Sequence, residues 1–358
     1  MRITFVLPTV NMSGGIRVIS IYAKALRDMG HEVVLVSPPP QTLSLKYKIK
    51  SLIKYKQWPS KKTMASHLNG LNLDHRILES WRPVNDNDLP DADIIIATWW
   101  ETAIWVNELS EKKGKKVYFM QDYGEVPGQP LKNIQDTWML PFYIITISQW
   151  LMALIVAYKG DEKHLTLVQN GIELDSFYTK KRDKNIIPTV GFLYTEAPQK
   201  GANLMFSAYI KAKQKIPDLR LMIFGGEPLP EHMKHHADVT YLQNASDEEI
   251  VKVYSSCDAW LFGSTREGFG LPILEAMACR TPVIATNAGA ALDLVGPEVG
   301  ALLKTYHADE MASQIVEIVS KNNASWEKLS EGAYAEAKKH SWSIATKEFD
   351  ETLKRICS

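Results

Sequence analysis

The 358-residue chain has little cysteine and no net charge. Its three cysteines, Cys257, Cys279 and Cys357, are too few and too irregularly spaced for a disulfide framework or a zinc site, so we expect a reducing compartment. The 41 Lys and Arg residues balance 41 Asp and Glu residues, which gives no global argument for a nucleic-acid partner. No run reaches the roughly 18 apolar residues that span a bilayer, and Met1–Gly15 turns polar too early for a signal peptide. These absences predict a cytoplasmic protein that does not bind nucleic acid.

The sequence also lacks the dinucleotide-binding fingerprint. A predicted strand over Ile3–Leu7 leads through a loop to Gly14 and Gly15, and an amphipathic helix follows. The two glycines do not form the G-x-G-x-x-G motif, and no acidic residue closes the second predicted strand, His31–Val36. This Rossmann-like start therefore disfavours a nicotinamide cofactor.

No group of residues predicts a metal site. No Asp-x-Asp pair stands at the end of a predicted strand. His232, His235 and His236 are close in sequence, but Glu231 is the one acidic residue at ligand spacing, so we interpret them as part of a solvated loop. We expect the protein to use neither a metal ion nor another cofactor.

Strands and helices alternate through the whole chain, which predicts an α/β fold with parallel sheets. The length suits two domains, and the 45% hydrophobic and 23% charged content is that of a soluble globular protein. The polar segment Lys180–Lys184 has no periodic pattern, and we interpret it as the linker.

The most informative stretch runs from Asp258 to Gly289. Ala259–Phe262 is a short apolar strand, Gly263–Gly270 is a glycine-rich loop, and a helix then begins, with Pro272 in its first turn. Val283–Thr286 is the next strand. This is one βαβ unit, with its loop at the sheet edge where open α/β sheets bind ligands.

The loop and helix predict a site for an anion between two hydroxyl-bearing groups. The N–H groups of Gly270 and Leu271, together with the helix dipole, favour a phosphate. Glu275 lies about one turn inside the helix, where a carboxylate is suited to accepting hydrogen bonds from ribose, and Glu267 lies in the loop with a different direction. A nucleotide sugar has this shape. On this interpretation, replacing Glu275 weakens nucleotide binding, whereas replacing Glu267 leaves it near that of the wild type.

The segment Glu267–Ala278, EGFGLPILEAMA, closely resembles the Glu-x7-Glu signature of retaining family-4 glycosyltransferases, which have the GT-B fold. An ordinary dinucleotide-type unit with two solvated glutamates is the alternative. The resemblance implies two Rossmann-like domains that face each other across a cleft. It assigns an acceptor-side domain to residues 1–178, a nucleotide-sugar-binding domain to residues 179–341, and a C-terminal helix that packs back on the first domain to residues 342–358.

The same resemblance implies roles for further residues. Lys200, before a glycine, matches the lysine that holds the diphosphate, and Gln121 stands where the family often has a histidine near the donor sugar. Gly15 matches the N-terminal glycine loop, while Phe192 replaces an expected arginine, for which Arg266 is a substitute. The predicted catalytic residues are Glu267, Lys200 and Gln121, and the predicted donor-binding residues are Gly15, Lys200, Arg266, Phe269, Gly270, Leu271 and Glu275.

The implied activity is that of a retaining, metal-independent hexosyl- or deoxyhexosyltransferase. It moves a sugar from a nucleoside-diphosphate sugar to a saccharide acceptor, in cell-surface polysaccharide or glycan assembly. Tyr118–Tyr123 also resembles family members that build bacterial surface polysaccharides, rhamnosyltransferases among them. Two alternatives stay open: a GT-B sugar-nucleotide epimerase, and a nucleotide-sugar-binding pseudoenzyme, which Phe192 and Gln121 favour.

Leu45–Lys62 is the most unusual segment, because it contains seven lysines and no acidic residue. Its aliphatic residues follow helical spacing, so one interpretation is an interfacial helix with a basic face. Such a helix binds an anionic membrane surface and predicts a peripheral location on the inner face of the plasma membrane, near a lipid-linked saccharide acceptor. The alternative is a solvated basic loop.

Overall fold

The structure, a computed structural model, describes residues 1–40, 65–123 and 131–358. These residues form two compact units. The first contains the described part of Met1–Ile145 together with Val156–Thr166 and Thr346–Ser358, and the second contains Thr146–Ile155 and Leu167–Ala345. The domain boundaries inferred at residues 178 and 341 stay a prediction. Leu45–Lys62 lies outside the described residues, so the structure does not test either of its two interpretations.

The first sheet has seven strands in the order β3-β2-β1-β4-β5-β6-β7. β1 pairs in parallel with β2 and β4, β2 with β3, and β4 with β5. The order reverses between β1 and β4, as in a doubly wound sheet. The strands are β1 Arg2–Val6, β2 Glu32–Ser37, β3 Asp74–Ile77, β4 Ile94–Ala97, β5 Lys115–Met120, β6 Tyr143–Thr146 and β7 Leu165–Leu167.

The second sheet has six strands in the order β10-β9-β8-β11-β12-β13, and its neighbouring strands are parallel. Here the order reverses between β8 and β11. The strands are β8 Thr189–Tyr194, β9 Arg220–Gly225, β10 Val239–Gln243, β11 Ala259–Phe262, β12 Val283–Ala285 and β13 Gly300–Leu302. The predicted α/β fold with two parallel-sheet, Rossmann-like domains is confirmed.

Helices connect these strands, and their starts agree with the sequence signals. Ser246 and Glu249 form a capping box at the start of their helix, and Pro272 lies in the first turn of the helix after the glycine loop. None of the helices in the described ranges is long and apolar enough to cross a bilayer. The helices are α1 Gly14–Asp28, α2 Trp100–Asn107, α3 Leu131–Asp136, α4 Gln149–Lys159, α5 Ala202–Lys213, α6 Glu231–Lys234, α7 Asp247–Ser255, α8 Leu271–Ala278, α9 Ala291–Leu294, α10 Ala308–Val319, α11 Asn323–Ala337 and α12 Trp342–Cys357.

Three aromatic rings pack together in the core of the first unit. Tyr22 of α1, Phe119 of β5 and Phe349 of α12 are fully buried. Their ring centroids are 5.3 Å apart for Tyr22 and Phe119, 4.4 Å for Tyr22 and Phe349, and 5.0 Å for Phe119 and Phe349. Phe119 packs edge-to-face against both other rings, and such packing adds to the hydrophobic gain of burial. The C-terminal helix therefore supplies a central side chain of the first unit.

The segment interpreted as the linker, Lys180–Lys184, lies inside the second unit, and Arg182 is partly buried there. The Arg182 guanidinium lies 4.6 Å from the centroid of the buried Trp326 ring and donates hydrogen bonds to Cys257 O and Thr281 Oγ1. Burial lowers the pKa of Arg182, and the charge of the nearby Asp258 opposes that shift. The composition of the segment gives no sign of these Arg182 contacts, because the partner residues lie far along the chain.

We expect Arg182→Ala to destabilise the second unit by about 2 kcal/mol, because it removes a desolvated cation–π contact and the hydrogen bonds from the guanidinium to Cys257 O and Thr281 Oγ1. Lys181→Ala is the matched control, since the Lys181 side chain is 63% exposed and pairs with Glu327 at the surface, where an ion pair contributes about 0–1 kcal/mol. Thermal unfolding of both variants measures the difference. Equal midpoints would contradict an anchoring role for Arg182.

Candidate functional site

Two loops of the second unit meet where its strand order reverses. One loop leads from β8 to α5 and ends in the short 3-10 helix Pro198–Lys200, and the other is the glycine-rich loop after β11. Thr265 N donates a hydrogen bond to Gln199 O over 2.8 Å, which ties the loops together. Because β8 and β11 are parallel neighbours, this is the edge at which doubly wound sheets bind ligands.

The close approach of these loops depends on Gly201. Its φ is +72°, in the left-handed region, and a Cβ there would lie 1.9 Å from Gly263 O. A residue with a side chain therefore fits neither the backbone conformation nor the space. Gly201 thus places the preceding Lys200 against the second loop.

Lys200 and Glu267 form an ion pair at the junction of the loops. Lys200 Nζ lies 2.6 Å from Glu267 Oε1, and the side chains are 35% and 13% exposed, respectively. Ser264 Oγ donates a second hydrogen bond, of 2.8 Å, to the same carboxylate oxygen. The structure therefore brings together two of the three predicted catalytic residues, which are 67 positions apart in the sequence.

The remaining loop residues lie at the start of α8. Gly270 is the residue before the helix, with a φ of +95°, and Leu271 is the first helical residue. Phe269 is buried, and its carbonyl accepts a 2.7 Å hydrogen bond from Ala290 N. Arg266 is exposed in the same loop. Pro272 has no N–H, and Ile273 N donates to Gly270 O over 2.9 Å. The backbone donors at this helix start that suit an anion are therefore the N–H groups of Gly270 and Leu271.

Glu275 lies in the second turn of α8 and is largely buried. The Tyr254 hydroxyl, on α7, donates a 2.8 Å hydrogen bond to Glu275 Oε2. The sequence interpretation assigned this carboxylate to a ligand alone, whereas in the structure it also links two helices. Its predicted contact with ribose stays a prediction.

Phe192, which stands where the resemblance implies an arginine, belongs to strand β8. Phe192 is inside the strand and fully buried in the core of the second unit, and β8 ends only at Tyr194. Phe192 is therefore a packing residue of the sheet. Its presence no longer favours a pseudoenzyme.

The site contains supporting residues that the sequence analysis did not select. Ser148 Oγ donates a 2.8 Å hydrogen bond to Gly268 O and is fully buried. Asp293 Oδ2 accepts hydrogen bonds from Gln149 N and Gln169 Nε2, and burial raises the pKa of its carboxyl group. No local signal identifies these contacts, because each joins residues more than 100 positions apart.

In the first unit, the structure brings together the two remaining predicted residues. Gln121 follows β5, and its amide lies within about 4 Å of where a Cβ on Gly15 would stand, in the first turn of α1. Within the part of the chain that is described, Gln121 Oε1 is buried and accepts no hydrogen bond. A buried unpaired acceptor is unfavourable in isolation, so this amide is suited to a ligand hydroxyl.

The histidines of α6 and the turn after it make structural contacts. The rings of His232 and His236 pack edge-on against Phe206, and His235 Nε2 lies 2.9 Å from Glu231 Oε2. No group of three or more potential ligands of a metal ion occurs among the described residues. The expectation of a metal-independent protein remains a prediction.

Residues 172–339 match the family model described as Glycosyl transferases group 1. A D-inositol 3-phosphate glycosyltransferase of Mycolicibacterium smegmatis is 28% identical over 243 residues, which are 61% of this chain and 54% of that protein. O-antigen chain mannosyltransferase B of Escherichia coli is 32% identical over 109 residues, 30% of this chain and 28% of that protein. The chain spans about half the length of the D-inositol 3-phosphate glycosyltransferases it matches.

Solved structures resemble the whole chain. Anabaena Alr3699/HepE in complex with UDP and glucose has a TM-score of 0.75 at 17% identity, over 99% of this chain and 100% of that one. Sucrose-phosphate synthase from Thermosynechococcus elongatus has a TM-score of 0.73 at 15% identity, over 99% of both chains. At these identities the likeness concerns the fold alone. The chain thus has a GT-B-type fold of two Rossmann-like domains, and its residues 172–339 match the family model of Glycosyl transferases group 1.

Proposed function

We propose that this protein is a retaining glycosyltransferase that moves a hexosyl or deoxyhexosyl group from a nucleoside-diphosphate sugar to a saccharide acceptor. The observation that carries the proposal is the contact between Lys200 and Glu267 beside the glycine loop and the start of α8. This cation, this carboxylate and these backbone donors stand where a doubly wound sheet binds its ligand. The family match over the same residues, and a neighbour crystallised with UDP and glucose, support the proposal.

In this proposal the second unit binds the nucleotide half of the donor. Lys200, Arg266 and the N-terminal N–H groups of α8 bind the diphosphate, and Glu275 accepts hydrogen bonds from the ribose. When the bond from the sugar to the phosphate breaks, negative charge develops on the leaving diphosphate. Lys200 and the helix N–H groups stabilise that charge without reorganising, which is a large source of catalysis in preorganised sites.

Glu267 is assigned to the hydroxyl groups of the donor sugar, and in the first unit Gln121, beside Gly15, is assigned to a sugar hydroxyl as well. In the transfer, the C1–O bond to phosphate breaks and the acceptor oxygen forms a bond to C1 on the same face. The acceptor proton passes to the leaving phosphate oxygen, so no enzyme carboxylate forms a glycosyl intermediate. Positive charge from Lys200 and the backbone lets this step proceed without a metal ion or other cofactor.

For the acceptor, we propose a saccharide used in cell-surface polysaccharide or glycan assembly, lipid-linked when the enzyme works at a membrane. The name of the Escherichia coli relative, an O-antigen chain mannosyltransferase, supports this class. An inositol phosphate is included as a second acceptor class, because several relatives are named for it. A cytoplasmic location at an anionic membrane face follows only if Leu45–Lys62 forms the interfacial helix considered above.

The proposal is tested by incubating the protein with UDP-, GDP-, ADP- and dTDP-sugars and measuring release of the nucleoside diphosphate. Acceptor-dependent release, with the anomeric configuration of the donor kept in the product by NMR, supports a retaining transferase. An altered or free sugar formed without an acceptor indicates an epimerase. Binding without any release indicates a pseudoenzyme. Saccharide, lipid-linked saccharide and inositol phosphate arms identify the acceptor class.

Glu275→Ala is expected to weaken binding of the free nucleoside diphosphate by about 10- to 100-fold, because a hydrogen bond to a charged group contributes roughly 1.5–3 kcal/mol. Isothermal titration calorimetry measures the change. Tyr254→Phe is the matched control, because it removes the same interhelical hydrogen bond and leaves the carboxylate in place. If both variants bind equally well, Glu275 links helices and does not contact the nucleotide.

A further inference from the structure

The ion pair between Lys200 and Glu267 has a consequence for how the proposed donor binds. These two side chains are assigned to different parts of the ligand, the lysine to the diphosphate and the glutamate to the sugar. In the structure, however, they neutralise each other at 2.6 Å. A diphosphate that approaches Lys200 is attracted by the ammonium group and repelled by the carboxylate bonded to it. The pair therefore competes with the anion.

Ser264 gives the carboxylate a second partner that does not depend on Lys200. Its hydroxyl donates to Glu267 Oε1 over 2.8 Å, and Ser264 itself is buried. Its backbone is fixed as well, because the Thr286 hydroxyl donates to Ser264 O and Thr286 N donates to Phe262 O over 2.9 Å. When Lys200 turns away, this hydroxyl still holds Glu267 in the loop.

The side chains differ in their freedom to move. Lys200 is 35% exposed and has a long flexible stem, whereas Glu267 is 13% exposed and is bound on its inner side by Ser264. An incoming anion therefore moves the lysine and leaves the carboxylate where it is. Release of Lys200 also uncovers Glu267 Oε1 as an acceptor for a hydroxyl group.

We propose that the donor diphosphate takes Lys200 from Glu267, and that Ser264 then holds the freed carboxylate in position for the donor sugar. This inference rests on the proposed function and names an order of events at the same residues. Sugar recognition by Glu267 becomes dependent on an occupied phosphate site. When a free monosaccharide binds without a diphosphate, the Glu267 carboxylate is still paired with Lys200. Ser264 is a positioning residue.

The test is a double-mutant cycle on Lys200 and Glu267, with UDP, GDP, ADP and inorganic pyrophosphate as calorimetric probes. We expect Glu267→Gln to tighten binding of the recognised diphosphate by about three- to tenfold, since the lysine is no longer held. This differs from the expectation from sequence that loss of Glu267 leaves nucleotide binding unchanged. In a Lys200→Ala background the same substitution is expected to give a smaller gain.

The cycle separates competition from simple repulsion. If Glu267 only repels the anion, its replacement helps more when Lys200 is absent, because the lysine no longer screens the carboxylate. An equal or larger gain in the Lys200→Ala background therefore overturns the inference. Asp309→Asn is the matched control, because Asp309 pairs with Lys211 on the exposed surface of the same unit and its removal is expected to leave affinity unchanged.

The positioning role of Ser264 has its own readout. With the natural donor, Ser264→Ala is expected to lower kcat about tenfold while the affinity for the nucleoside diphosphate stays within about twofold, and Ser264→Thr is expected to restore much of the rate. A parallel loss of affinity and thermal stability, with no rescue by threonine, overturns this role.

If the wild-type protein binds no diphosphate at all, the proposed function fails together with this inference. If it binds a diphosphate, but Glu267→Gln does not tighten that binding more with Lys200 present than in the Lys200→Ala background, the inference alone fails.

Discussion

Replacing Lys200 with alanine is expected to lower kcat by about 100- to 1,000-fold, because one preorganised group that stabilises developing charge typically contributes that much. Lys200 is the side-chain cation that the structure places directly against the glycine loop, paired with Glu267 at 2.6 Å. The leaving diphosphate then loses the charge of Lys200 and retains its proposed contacts with Arg266 and with the backbone donors at the start of α8. Steady-state kinetics with the donor identified by the nucleotide-sugar panel measure the effect.

Lys211→Ala is the control for this variant. Lys211 is also a lysine of the second unit in an ion pair, with Asp309, but the pair is exposed. Its removal is expected to change kcat less than twofold and to leave stability nearly unchanged. A Lys200→Ala enzyme that keeps the wild-type rate would remove Lys200 from the transfer step, whatever its effect on binding.

Gly201→Ala is expected to destabilise the second unit by about 3 kcal/mol or more, among the larger effects that single substitutions produce. The left-handed conformation at +72° alone is unfavourable for alanine by roughly 1–2 kcal/mol. The new Cβ would also stand 1.9 Å from Gly263 O, so the two site loops must separate. We expect the thermal midpoint to fall by about 6–12 °C for a unit of this size.

Gly226→Ala provides the comparison within the same unit. The nearest atom to a Cβ at Gly226 is Asn244 Oδ1, at 3.9 Å, so the methyl group is accommodated. We expect its thermal midpoint to stay within about 2 °C of the wild type. If Gly201→Ala were equally harmless, the close approach of the loops would not depend on a glycine at that position.

The sequence alone predicted the βαβ unit around Glu267 to within about one residue at each boundary. The reason is that each signal is local. Gly270 ends the loop and Pro272 lies in the first helical turn, and the four apolar residues Ala259–Phe262 have the length of a short buried strand. The capping box at Ser246 was predictable for the same reason. Signals of this kind depend on neighbours in the chain, and the sequence displays them directly.

The pairing within the site was not predictable, because it depends on strand order. Lys200 and Glu267 are neighbours because β8 and β11, which precede their loops, are adjacent in the sheet. Ser264 has no motif that marks it as a donor to Glu267. Arg182 looked like part of a polar linker, since its partner Trp326 is 144 positions away and only the folded chain brings them together. Contacts of this range are set by packing, which a single sequence does not display.

The position of Phe349 affects the order in which the chain folds during synthesis. This ring closes the aromatic core of the first unit against Tyr22 and Phe119. The ribosome, however, makes Phe349 only after all of Leu167–Ala345, the main part of the second unit. Chains often complete their N-terminal domain first. Here, the second unit is synthesised while Tyr22 and Phe119 still lack the Phe349 ring. The core of the first unit therefore starts to form first but is complete only after the second unit has been made.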